Sequence, residues 1–223
     1  QSWTGKRDQP KIPEEPPPTA SVRKDLDWDG MSAPQMLIGF RATAFTGEGD
    51  ATLRALRLRD TAALEVVHAL LFDTSAPLYQ ALVLEQQKLL ALESWGSSFS
   101  RDPGLFVISA ELKQGVSFDE IERDVQLAID LLARGEIDPL RVEAVRSHLA
   151  YGLTMKVETA SDAADLFAQF MAVGGSAEAM NEYLRALATV SKEDVARVAG
   201  LYLSAQRRST VTLRPKPRAG GAR

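Results

Sequence analysis

Leu89-Leu90-Ala91-Leu92-Glu93-Ser94-Trp95, Arg101-Asp102-Pro103-Gly104, Leu105-Phe106-Val107-Ile108-Ser109-Ala110-Glu111-Leu112 and Ser117-Phe118-Asp119-Glu120-Ile121, met in that order, decide the fold. Residues 89–99 and 105–112 are two apolar runs around a Pro-Gly turn, where proline fixes φ and glycine frees it. They read as an antiparallel strand pair. Immediately afterwards the hydrophobic period lengthens: Phe118, Ile121, Val125, Ala128 and Leu132 recur at helical spacing, and Gly135 stops the run. Ser117 and Glu120, three apart, have the pattern of a capping box. The charged run Glu120-Ile121-Glu122-Arg123-Asp124 reads as a solvated helix face.

Working toward the N-terminus, residues 77–87 form a short helix after a break at Asp73-Thr74-Ser75, and an apolar helix precedes it through Leu64, Val67, His68 and Leu71. Asp60 is placed to cap that helix, leaving residues 46–59 as a long loop or short exposed helix. Residues 21–28 and 36–42 carry strand patterns, the second with the continuous apolar core Met36-Leu37-Ile38-Gly39-Phe40. Pro10, Pro13, Pro16, Pro17 and Pro18 deny regular hydrogen bonding to the stretch before them. Residues 1–20 therefore read as a proline-rich linker preceded by the end of an upstream domain or, alternatively, by a disordered N-terminus carrying Trp3.

Toward the C-terminus, Asp138-Pro139 opens a helix reaching about Lys156, in the favoured order of cap and then proline. Helices over residues 161–173, 177–188 and 192–203 follow, separated by Gly174-Gly175 and Thr189-Val190-Ser191, with Ser191 and Asp194 as a further start signal. A last strand covers residues 210–213. The expected architecture is α+β: one domain over residues 21–215, a largely antiparallel sheet with helices packed on one face, and a flexible tail at 216–223.

Composition narrows the function classes. The 223 residues are 45% hydrophobic and 25% charged, and 26 Lys and Arg against 30 Asp and Glu give a net charge of −4. No basic stripe suited to a phosphate backbone is present, so nucleic acid is not an expected partner. No apolar run approaches the ~20 residues of a membrane span, and the chain reads as soluble. The absence of cysteine excludes disulfides, thiol nucleophiles and Cys-based zinc sites. It leaves the compartment open, with a bacterial periplasm as one candidate. There is no Gly-x-Ser-x-Gly elbow, glycine-rich phosphate loop or paired-carboxylate motif, which disfavours a free-standing enzyme of another type.

Asp60-Thr61-Ala62-Ala63-Leu64-Glu65-Val66-Val67, Ser75-Ala76-Pro77-Leu78-Tyr79-Gln80-Ala81-Leu82, Arg101-Asp102-Pro103-Gly104-Leu105-Phe106, Gly135-Glu136-Ile137-Asp138 and Val190-Ser191-Lys192-Glu193-Asp194-Val195 resemble the C-terminal, non-zinc-binding domain of the M16 peptidases. This family includes insulinase and the mitochondrial processing peptidases. The resemblance implies related α+β domains paired into two halves that close around an unfolded peptide. It also implies zinc held elsewhere, by an inverted His-x-x-Glu-His motif whose glutamate activates a water.

In this chain the positions three and four after His68 are Leu71 and Phe72, and the only other histidine is His148. Glu143, placed like a third ligand, has no set to complete. The family's arginine and tyrosine, which bind peptide near the scissile bond, fall on Val83 and Leu90, so neither group is present. Tyr79 reads as an amphipathic anchor and Arg101 as a turn residue. The expectation is a domain with no catalytic, cofactor-binding or metal-ligating residue and no cofactor of its own. Its expected partners are an upstream zinc-bearing domain or partner subunit and unfolded peptides, within a dimer or paired halves. The alternative is a proteolytically inactive family member acting as a scaffold.

Overall fold

Along β2 (Gln35–Arg41) Met36, Ile38 and Phe40 are buried while Gln35 and Leu37 are exposed, so the strand has one face in a core and one outside it. The computed structural model describes residues 16, 18–30, 32–46, 49–95 and 99–216. The expected upstream segment and linker lie largely outside the described residues, as does the tail beyond Lys216. β4 (Leu105–Leu112) repeats the alternation of β2, burying Phe106, Ile108, Ala110 and Leu112. With β1 (Val22–Trp28), β3 (Leu89–Trp95) and β5 (Arg208–Pro215) these strands form one sheet in the order β1-β5-β2-β4-β3. Three pairings are antiparallel and only β1 with β5 is parallel, as the largely antiparallel reading requires. β3 ends at Trp95, short of the expected Phe99. That ring instead joins Phe45, Phe170 and Tyr183 in a cluster with centroids 5.1–5.9 Å apart.

The helices cover the inner face. α1 (Ala51–Phe72) is followed by α2 (Pro77–Tyr79), which runs into a π-helical turn, Gln80–Glu85. After the β3–β4 pair come α3 (Phe118–Ala133), α4 (Pro139–Met155), α5 (Ala160–Gly174), α6 (Ala179–Ala188) and α7 (Lys192–Tyr202). The local signals at their ends largely hold. Asp138 accepts from Leu140 N with Pro139 at the first helical position, Gly135 takes φ 71°, and Ser191 with Asp194 forms a reciprocal capping box. At the α5–α6 corner Gly175 takes φ 74°, and a Cβ on Gly174 would stand 2.2 Å from that of Ala179. The helices can meet there only without that side chain.

Three expectations are corrected, each because a charged side chain is used for tertiary contact rather than locally. α1 begins at Ala51, capped by Asp50, whose carboxylate accepts from Leu53 N at 2.9 Å. Asp60 is in its interior and buried: Arg197 Nη2 and Tyr202 Oη each donate to it at 2.6 Å, tying α1 to α7. Burial, reinforced by the bond to Asp60, pushes the Tyr202 hydroxyl up to about 12. The adjacent Arg59 grips Asp194, one turn before Arg197 on α7, with two bonds of 2.9 and 2.8 Å. Burial alone would raise the Asp194 carboxyl, but bonds from Arg59 and Ser191 hold it below the usual carboxylate range.

Ser117 starts α3 without a side-chain cap bond, because Glu120 turns to Lys88 Nζ at 2.6 Å instead of reaching back. Glu122 is not solvated: it is buried against β1 and β5, where Thr210 Oγ1, Arg208 Nε (3.0 Å) and Arg23 Nη1 (3.1 Å) satisfy it.

The two candidate caps can be told apart by stability. Asp60→Ala strands Tyr202 and Arg197 and should cost about 2–4 kcal/mol, Arg197 being partly solvated. Asp50→Ala should cost only ~1 kcal/mol, as for a helix cap. Urea denaturation of both variants checks this, and a larger loss at Asp50 would contradict the role given to Asp60.

Candidate functional site

α1 carries His68, the histidine at which the resemblance invites a search for a metal motif, and its side chains fix what chemistry this position allows. Leu71 and Phe72 are buried, Phe72 lying 6.2 Å from the Phe106 ring across the sheet interface. The places where a glutamate base and a second imidazole would be needed are thus filled by core hydrocarbon. His68 is half-buried, and its Nδ1 is bonded to Ser94 Oγ on β3. Ser94 faces the helices because it pairs with Ile108, an inward residue of β4. Burial lowers the His68 pKa, which favours the neutral ring and suits a bond to a hydroxyl. His148 and Glu143 are both exposed on α4. Among the described residues no three His, Cys, Asp or Glu side chains gather as a metal site. At the positions following His68 on α1 the side chains present do not fit zinc.

One turn before His68 is Glu65, which sequence reasoning passed over. No described residue hydrogen-bonds its half-buried carboxyl, and burial raises its pKa to about 7 against a slight lowering by Lys156 and a slight raising by Asp73. Tyr183 on α6 lies close enough to feel its charge, and burial, with that charge added, raises the phenol well above its ordinary range. The only sequence signal was an acid in the apolar window from Ala62 to Leu71.

The segment expected to carry the family's arginine and tyrosine joins the π-helical turn to β3. Gln87 adopts φ 51°, Lys88 N bonds back to Leu82 O at 2.9 Å, and the strand register slips between Leu89 and Ala91. That bulge leaves Leu90 exposed at the rim of an open cavity of ≈ 530 Å³ with Ser32, Ala33, Leu112, Lys113 and Gln114. Val83 is half-buried against the core, as is Tyr79, and Arg101 is exposed in the β3–β4 connection. A second open cavity of ≈ 540 Å³, between α1 and α6, has Ala55, Leu58 and Ala186 among its lining with Arg54, Arg185 and Glu182. Arg185 is already paired with Glu178.

Glu65 gives the site a measurable pH signature. The unfolded carboxyl titrates near 4.5 and the folded one near 7, so between those values the folded chain holds the extra proton. Its contribution to stability is full below pH 4.5, falls as pH rises and is gone above about 7. Wild type should lose on the order of 2 kcal/mol over that window relative to Glu65→Gln, which cannot ionise. Urea titrations at pH 4.5 and 7.5 compare the two; parallel pH dependences would exclude the raised pKa.

The whole chain can now be set beside known proteins. The fold matches a protease from Helicobacter pylori at TM-score 0.78 and 21% identity, covering 93% of this chain and 48% of that one. It also matches the inactive peptidase domain of a candidate zinc protease from Bordetella parapertussis, at TM-score 0.69 and 19% identity, over 85% of this chain and 96% of that one. A third match is a chain of complex III2 from Candida albicans, with TM-score 0.64, 12% identity and coverage of 87% and 45%. The chain thus spans about half the length of the Helicobacter protease it resembles. No curated protein sequence matches it. At these identities the structural matches show the fold alone, but the family model described as "Peptidase M16 inactive domain" matches residues 1–149, two-thirds of the sequence. By that match the chain belongs to the M16 peptidase family, as an inactive domain.

Proposed function

We propose that this chain is a non-catalytic accessory domain of an insulinase-type zinc metalloendopeptidase. It forms part of the wall around an extended peptide and supports a separate zinc-bearing domain, which supplies the metal and the general base. The observation that carries this reading is the packing of Leu71 and Phe72 into the core, where hydrolysis would need a carboxylate and an imidazole converging on a water. The bulged segment around Leu90 likewise offers hydrocarbon where the family's pair would contact peptide. What the domain retains is shape: a finished helical core, a sheet, and two open cavities along its surface.

A scaffold role is the second reading. It is favoured by the similarity to a chain of complex III2, at TM-score 0.64. The two readings differ in whether a zinc-bearing family member gains peptidase activity from this chain.

Hydrolysis of an unfolded peptide library separates them. The chain alone, with added zinc, should give no cleavage above the chelator control. Mixed with a zinc-motif M16 domain from the same genome, it should raise chelator-sensitive cleavage at least tenfold over that domain alone. Zinc-dependent cleavage by the isolated chain would contradict the proposal, and no gain on mixing would favour the scaffold.

A further inference from the structure

The first turns of α1 stand clear of the core: residues 51–56 are all exposed, and the helix first enters the core at Leu58. Beside these turns is the open cavity of ≈ 540 Å³ shared with α6. Its α1 side is one helical face, Arg54, Ala55, Leu58 and Arg59, and across from it Glu182, Arg185 and Ala186 on α6 are again spaced three and four apart. Ala55 and Ala186 are small, so the two helices leave a recess between them, with apolar walls completed by Leu58. In a chain whose net charge is −4, this lining holds three arginines against one glutamate. Two of the arginines have carboxylate partners outside the lining, Arg59 with Asp194 and Arg185 with the exposed Glu178. Arg54 has no carboxylate partner among the described residues; it donates from Nη2 to Gly174 O at 3.4 Å. A guanidinium carries five N–H donors, so each of the three has donors beyond those these bonds use.

We infer that this recess binds a short acidic peptide segment, taking one carboxylate between Arg54 and Arg185 and the small apolar side chains beside it against Ala55, Leu58 and Ala186. The site does not depend on the accessory-domain role, since every group it uses belongs to this chain. Carboxylate is the anion that matches. Arginine receives it through two parallel bonds, as Arg59 already does with Asp194. Glu182 in the lining repels a doubly charged phosphate about twice as strongly as a single charge, which favours the carboxylate. A peptide also suits an open recess better than a small molecule does. Small-ligand sites cover roughly 70–90% of their ligand's surface, which an open recess does not. A peptide needs only one or two residues in the recess and continues along the surface beyond it, and arginine clusters are a recurrent means of reading acidic motifs. The Arg185–Glu178 pair is no obstacle, because exposed ion pairs hold weakly and an incoming carboxylate exchanges with Glu178.

Fluorescence anisotropy of dye-labelled, alanine-rich hexapeptides tests this on the full chain, at low ionic strength where screening is least. One probe has a central glutamate and an amidated end, a second has glutamine in its place, and a third has only alanines with a free C-terminal carboxylate. The glutamate probe should bind at least tenfold more tightly than the glutamine probe. Binding by the glutamate probe assigns a side-chain carboxylate and binding by the third a chain end; either supports the site, whereas no preference for either over the glutamine probe overturns it. Arg54→Gln and Arg185→Gln each remove one charge at an exposed position, and Ala55→Trp fills the recess with the charge unchanged. Thermal melting by circular dichroism checks that each variant folds. All three should weaken binding at least fivefold, while Arg134→Gln, which removes an exposed arginine paired with Glu136 at the end of α3, leaves it unchanged. Equal weakening by Arg134→Gln would reduce the effect to overall charge and overturn the site. Full binding by Ala55→Trp, or inorganic phosphate competing as well as the acidic peptide, would overturn it too, since a bare anion needs no apolar walls.

Discussion

The burial of α1 on most of its circumference from Asp60 to Phe72 is the constraint from which the rest follows. Ala62, Ala63, Val66 and Val67 are fully shielded from solvent, and the helix touches β3, α4, α6 and α7 along its length. Small and branched apolar residues allow that many neighbours to approach closely. The same packing makes each polar group on the helix expensive unless a specific partner reaches it. Asp60 has Arg197 and Tyr202, and His68 has Ser94. Thr61 Oγ1 and the Glu65 carboxyl have none among the described residues, and Glu65 responds by holding its proton.

A helix placed in this way either forms core or carries chemistry over any given turn. A hydrolytic zinc site needs at least three ligands and a water converging on one open point, each group desolvated only in part. Leu71 and Phe72 close that point and place their carbons against the sheet, where burial of a large apolar side chain stabilises the fold by roughly 1.5–3 kcal/mol. This turn therefore contributes to stability. The bulge at Leu90 shows the same exchange at the start of β3, where the backbone irregularity is present and the side chain at its exposed position is hydrocarbon.

The sequence was most legible where a signal is local. The strand alternation of β2 and β4, the Asp138-Pro139 start of α4, the stop at Gly135 and the Ser191–Asp194 capping box all depend on residues within a few positions of one another. It was least legible where a charged side chain had two uses. Asp60 looks like a cap until Arg197 and Tyr202, more than 130 residues away, are brought beside it. The true start at Asp50 had only a run of good helix formers, Leu53 to Leu58, to announce it. Glu120 and Glu122 sit two residues apart in one charged run, yet one reaches Lys88 at the surface and the other is enclosed between β1, β5 and α3. Residue type could not separate them, because the distinction is made by β5, which closes the sheet about 90 residues later. For the site, the sequence could say which catalytic groups are missing from α1 but could not bring Glu65 within electrostatic range of Tyr183, since that proximity is set by helix packing.

The two faces of the sheet also contribute unequally to stability. Folding draws on the inner residues Met36, Ile38, Phe40, Phe106 and Ile108, whose burial is complete without any contribution from the other side. The outward residues contribute little to that core and are correspondingly free to vary without unfolding the chain. Leaving Leu37, Trp28 and Leu105 in water gains nothing for an isolated domain and exposes it to non-specific association. Polar replacements at such positions are among the easiest changes a sheet tolerates, because alternation lets them be made without touching the core.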